Sequence, residues 1–462
     1  MPTDTANGDL SRLSFWSRVR EFAVPPGMIE TATARRLQGD WAGACAAAGF
    51  DIDLDLRSTA RTHGRELATR IRSDLRHLAP DLLRWHLPRI APDGLLRPGS
   101  TSTLARYAPA GQERGSPPGL ELVVRTAPAW ADAGQRISLA LFDGSAKTAA
   151  PGLHPHPRPD RRYRLDLHRH LWDARSADEL WTRCGAGEPL ARPDPELLAL
   201  LPSSGGCAVE TWAVEARLLS DAEKCCGSAF VVRLGGRRRL VLRVADDGGG
   251  PPTVRIEPGY PAGRVSALPV LPDAATWTLP DLALLRAGVI TADRLHPLVA
   301  AALVPGGASA VQQPYATAGS RLVTCRGEQH RIGFVDGVLS ALDHDPVELR
   351  REELLAALSG TPLPCLQAID VAHRAPDCLA GIRERLHHGD IAGALALVEG
   401  LLGPGALLRD GALRDELEAA ARRRITYGLF RSGLSEAGSE RVPTGRARRR
   451  DRRAHPRNAT RH

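Results

Sequence analysis

The chain has 462 residues, 43% hydrophobic and 25% charged, with a formal net charge of +8. That apolar fraction is too high for a wholly disordered chain, and the composition excludes collagen, a coiled coil and a disulfide-rich miniprotein. At about 150 residues per domain the length predicts about three domains.

The N-terminus carries acids and no apolar stretch of the kind a secretory signal needs. Residues 9–87 read as a helical domain. A helix from Leu13 ends at Pro25-Pro26. A second helix meets Gly39, and Asp40 then caps the helix of WAGACAAAG, a tight helix–helix turn. DIDLDL opens like a calcium loop, but Leu56 and Thr62 stand where Gly and Glu are required, so it reads as a linker. Leu67, Ile71, Leu75, Leu78 and Leu82 follow at spacings of three and four, predicting one helix over 61–86.

Residues 88–119 are rich in Pro and Gly and read as an irregular connection. From 100 to 265 the period of two predicts an antiparallel β-rich domain. Strands are expected at 120–125, 136–142, 162–170 and 209–219, with a hairpin around Gly235-Gly236 and a further strand at 253–257. Residues 277–435 read as a mainly helical domain with one short strand pair, 321–325 and 330–335. Asp345 with Pro346 marks a helix start there. Gly389-Asp390-Ile391-Ala392-Gly393-Ala394 repeats the turn pattern Gly39-Asp40-Trp41-Ala42-Gly43-Ala44. The expected class is α+β. Residues 436–462 read as a disordered Arg-rich tail. Its last 22 positions hold the whole +8, leaving a body with 52 basic and 52 acidic groups.

Candidate chemistry is sparse. No P-loop, G-x-S-x-G elbow, H-E-x-x-H or dinucleotide fingerprint occurs, and no cofactor is expected. His154, His156, His168 and His170 form two H-x-H pairs that would each share a face on extended backbone, so they are candidate metal ligands. Cys365, His373, Cys378 and His387 are a second set, without a C-x-x-C anchor. Asp336, Asp343 and His344 are candidates for acid–base work, although a strand, a turn and a helix cap account for the same residues. In the tail, Arg446, Arg448, Arg449, Arg450, Arg452 and Arg453 are candidates for polyanion binding, without aromatic residues to stack bases. Eight scattered Cys suit reduced thiols in a cytoplasmic protein, and no stretch is apolar enough to cross a membrane.

MIETATARRLQGDWAGACAAAGFDIDLDLR, RIGFVDGVLSALDHDPVELRREELLAAL and LRDELEAAARRRITYGLF resemble an uncharacterised protein family of GC-rich, actinobacterial-type bacteria. The strong use of Arg over Lys fits such genomes. The resemblance implies a protein partner, a MoxR-type ATPase or a von Willebrand A-type protein, and carries no catalytic residue or cofactor. The first expectation for function is a non-enzymatic interaction or scaffold protein that docks partners through its helical ends. The alternatives are a metal-dependent enzyme using the histidine group and nucleic-acid association through the tail.

Overall fold

The computed structural model describes residues 4–107, 119–132, 134–144, 154, 156–187, 193–202, 205–225, 227–235, 238–245, 251–305, 321–360 and 362–434. The class is α+β. The chain divides into two compact units, residues 1–310 with 429–462, and residues 311–428. The tail arginines Arg446 to Arg453 lie outside the described residues.

The first unit opens with helices α1 (Asp4–Phe22), α2 (Pro26–Leu37) and α3 (Trp41–Ala47), then strand β1 (Phe50–Asp53). Helices α4 (Leu56–His63), α5 (Arg65–His77) and α6 (Pro80–His86) follow, and then the short pair β2 (Arg89–Ile90) and β3 (Leu95–Leu96). Strands β4 (Thr101–Tyr107), β5 (Leu120–Thr126) and β6 (Ile137–Phe142) come next. The main sheet has the order β1-β6-β5-β4, with β1 parallel to β6 and the other pairs antiparallel. After α7 (Leu180–Arg183), α8 (Pro195–Ala199) and α9 (Trp212–Glu223) comes a second sheet, β7 (Ala229–Arg233), β8 (Arg239–Ala245) and β9 (Thr253–Ile256). Helices α10 (Asp273–Thr276), α11 (Pro280–Arg286) and α12 (Pro297–Leu303) complete it.

One core joins these segments: Trp16, Ile71, Leu75 and Trp85 from the helices, Leu104, Leu122 and Leu139 from the sheet, and Leu284, Val299 and Leu303 from α11 and α12. A side chain of this size contributes about 2 kcal/mol when fully removed from water. Trp212, Ala213 and Ala216 of α9 cover the second sheet through Phe230, Val232 and Leu242.

Several expectations are corrected here. The predicted helix over 61–86 is three helices, because Gly64 takes φ +94° and Pro80 starts a new helix after an extended Ala79. The 51–55 linker contains β1, whose Phe50 is buried against Ile137. The connection 88–119 contains β4, hidden by its Thr and Ser content. Those hydroxyls are used inside: Thr103 donates to Glu121 at 3.0 Å, and Thr101 to the His156 carbonyl at 2.6 Å. The expected strand 209–219 is α9 after one 3-10 turn; Val209, Trp212, Ala213, Ala216 and Leu219 are buried at helical spacing. The expected strand 162–170 is two 3-10 turns, 165–167 and 169–171. Its polar alternation does not face water, since Arg162, Arg164, His168 and His170 are all buried. Arg162 pairs there with Asp273, and Arg164 with Asp166 and Glu223. The hairpin loop is longer than two residues, because the β7–β8 register closes at Arg233 and Arg239.

The second unit begins with a three-stranded antiparallel sheet, β10 (Arg321–Cys325), β11 (Glu328–Val335) and β12 (Val338–Ala341). Five helices follow: α13 (Pro346–Ser359), α14 (Pro364–Arg374), α15 (Leu379–His388), α16 (Ile391–Leu402) and α17 (Ala412–Arg431), the last belonging to this unit up to residue 428. The sheet packs on α14 through Cys325, Ile332, Ala341, Cys365 and Ile369. Ile382, Leu386, Ala394, Val398 and Leu402 form the α15–α16 hairpin core.

Candidate metal centre

Strand β10 ends at Cys325, which pairs with Glu328 across the Arg326-Gly327 turn. Both turn residues have positive φ, 54° and 88°, the geometry of a tight hairpin turn. Strand β12 ends at Ala341, and the chain then passes Asp343 and His344 to Asp345. The Asp345 carboxylate accepts from the Val347 N–H at 2.9 Å and caps α13. Cys365 follows Pro364 in the first turn of α14. Cys325 and Cys365 are both fully buried.

The two Sγ atoms and a ring nitrogen of the half-buried His344 all lie within 4.8 Å of one another. Nε2 of His344 is buried without a hydrogen-bond partner. The ring of His330 stacks on His344 at 4.3 Å, and its Nδ1 is also buried and unpartnered. Burial, and then the neighbouring Cys325 thiol, push Cys365 up to about 11. Without a cation the Cys365 thiol stays protonated at neutral pH; a bound divalent ion inverts that preference.

Of the acid–base candidates, His344 alone joins this cluster. Asp336 sits in the β11–β12 turn with φ 51°. Asp343 accepts from the Arg331 backbone N–H and guanidinium, each at 2.7 Å, and those hydrogen bonds hold its carboxyl down to about 2. It is a fixed anion that orients the segment before His344.

The histidine group of the first unit does not converge. His154 Nε2 lies 3.0 Å from the Thr126 carbonyl, while its Nδ1 accepts from the His156 N–H at 3.2 Å, so both ring nitrogens are used. Burial pushes His154 down to about 4. His156 is exposed. His168 places Nδ1 3.1 Å from the Arg164 carbonyl and Nε2 3.1 Å from Glu215. His170 lies beside it, ring centres 5.7 Å apart, and is pushed well down by burial and then by His168. Among the described residues, Cys325, His344 and Cys365 are the group with metal-ligand geometry.

The chain matches no protein-family model, no curated protein and no solved structure. The geometry therefore stands alone. Sequence reasoning grouped Cys365 with His373, Cys378 and His387 and missed Cys325. The missed signal was the position of Cys325 at the last residue of a strand, directly before a two-residue turn. Such a corner presents its side chain at a fixed angle, as a ligand site requires.

Proposed function

We propose that residues 311–428 form a zinc-organised module for protein interaction. The observation that carries the metal reading is the convergence of two buried thiols and an imidazole within 4.8 Å. Sulfur and imidazole nitrogen suit Zn2+, whose tetrahedral bonds of about 2.3 Å to sulfur put two ligand sulfurs about 3.8 Å apart. Closing the cluster onto an ion therefore needs at most a shift of about an ångström. The fourth position belongs to His330 after a ring rotation, or to water. The burial of both thiols favours a structural role for the ion: it ties the hairpin corner to the start of α14.

Full-length protein purified without chelator should carry close to one equivalent of zinc. Cobalt exchange should give a thiolate-to-cobalt charge-transfer band that Cys325→Ser removes. Under a tenth of an equivalent of metal, with both thiols reduced, sinks the reading.

The interaction part rests on α13. Val347, Leu354 and Leu358 are 58%, 65% and 87% exposed and lie one above the other along the helix. An apolar stripe in water marks a docking surface. The MoxR-type ATPase or von Willebrand A-type partner implied by the sequence resemblance is the first to test. Leu354→Glu with Leu358→Glu should abolish co-purification of the partner without altering metal content. Unchanged recovery would refute docking through this face.

A further inference from the structure

A cavity of about 80 Å3 lies in the first unit between α1, the end of α6, the segment 162–171 and α10. It has room for about five water-sized groups. Phe15, Leu171 and Ala274 supply apolar wall, and Arg89, Tyr163 and Trp16 bring polar groups to it.

Arg89 is 3% exposed. Its Nη1 donates to the Gly94 carbonyl at 2.8 Å and its Nη2 to the Arg84 carbonyl at 2.7 Å, while Nε has no partner. No carboxylate pairs with it among the described residues, and burial together with the nearby Arg84 pushes its pKa well down. A buried guanidinium without a counter-charge is an expensive arrangement. Asp273, an acid on the same wall, is committed to Arg162 through bonds of 3.1 and 2.6 Å. His86 also lines the cavity; burial, then His296, lowers it to about 3, so it adds no charge at neutral pH. Tyr163 Oη and Trp16 Nε1 are buried donors without acceptors. Arg12, whose Nη2 donates to the Thr278 carbonyl at 3.0 Å, also lines the cavity. This wall therefore offers in Arg89 a buried cation without a carboxylate partner, and further donors, with apolar surface beside them.

We propose that this cavity binds a short-chain monocarboxylate of about four carbons, sized by the cavity's capacity. Its carboxylate neutralises Arg89 and accepts from the unpartnered donors, and its chain lies against Phe15 and Leu171. The apolar wall favours such a ligand over a compact inorganic oxyanion.

The test uses the full chain at constant ionic strength, with butyrate, its uncharged isostere butyramide, and inorganic phosphate. Butyrate should raise the melting temperature saturably and bind at one site by calorimetry, and butyramide should bind at least tenfold more weakly. Arg89→Met should remove butyrate binding. Should that variant fail to fold, Ala274→Phe keeps Arg89 and fills the space, and should also abolish binding. Equal binding of butyramide, a shift with phosphate alone, retention by Ala274→Phe, or no response to any ligand each overturns the proposal. None of these outcomes touches the metal ligands, which belong to the other unit.

Discussion

Arg84 is 2% exposed, yet its guanidinium donates to three main-chain carbonyls, those of Ala23 at 3.0 Å, Ala48 at 3.3 Å and Gln135 at 2.7 Å. Backbone carbonyls thus take up an interior guanidinium here. Two imidazoles are shifted by their surroundings so that they stay neutral. His86 and His154 are lowered by burial to about 3 and about 4, from an ordinary value of 6.5. Between those values and pH 6.5 the unfolded chain binds protons that the folded chain refuses. Stability is therefore greatest above pH 6.5 and falls with acidity, by about 2 kcal/mol per histidine at pH 5. Glu215, lowered to about 2 by His168 and Arg183 against the opposing effect of its burial, loses its contribution only below about pH 4.5, outside that window. Urea unfolding at pH 8 and pH 5 should show the loss. In His154→Gln it should shrink by about 2 kcal/mol; an unchanged difference would show that His154 is not held neutral.

The repeated turn is the element most readily found from sequence, and the structure explains its composition. Gly39 and Gly389 take φ +77° and +86°, and the following Asp caps the next helix by accepting from the N–H of Gly43 or Gly393. A Cβ on either glycine would lie 2.1 or 2.2 Å from the capping carboxylate, which is why the motif reads G-D-x-A-G-A. Arg35 and Arg385, each five residues before the Asp, pair with the same carboxylate. Asp390→Ala should cost about 1 kcal/mol, and Asp390→Asn, which keeps the cap and loses the ion pair, about half of that. Gly393→Ala should also destabilise, although alanine is the better helix former. A rise in melting temperature in Gly393→Ala would contradict the close approach.

β5, β6, the β7–β8 pair and the helices from α13 onward were readable from the spacing of their apolar residues and their cap signals. Two of the misread stretches share a cause. In 162–170 and in β4 both faces are buried and charged or hydroxyl side chains find partners inside, so polar residues no longer mark the solvent side. Of the candidate metal ligands, His344 and Cys365 were singled out, but in different sets. Cys325, His344 and Cys365 meet only through the fold, since strand end, post-strand segment and helix start are far apart in sequence, with no fixed spacing to recognise. Likewise the cavity at Arg89 depends on residues from 15 to 274, and no local window contains it.

The core of the first unit also sets a timetable. Trp85 of α6 donates to Asp281 of α11 at 2.6 Å, across 196 positions of chain. A ribosome adding 5–20 residues per second takes roughly 10–40 s to cover that separation. Throughout that interval the N-terminal helices have emerged without the wall that buries Trp16 and Trp85. The helices that carry Trp16 and Trp85 are thus made well before the wall that seals them, and that stretch of nascent chain needs shelter for tens of seconds.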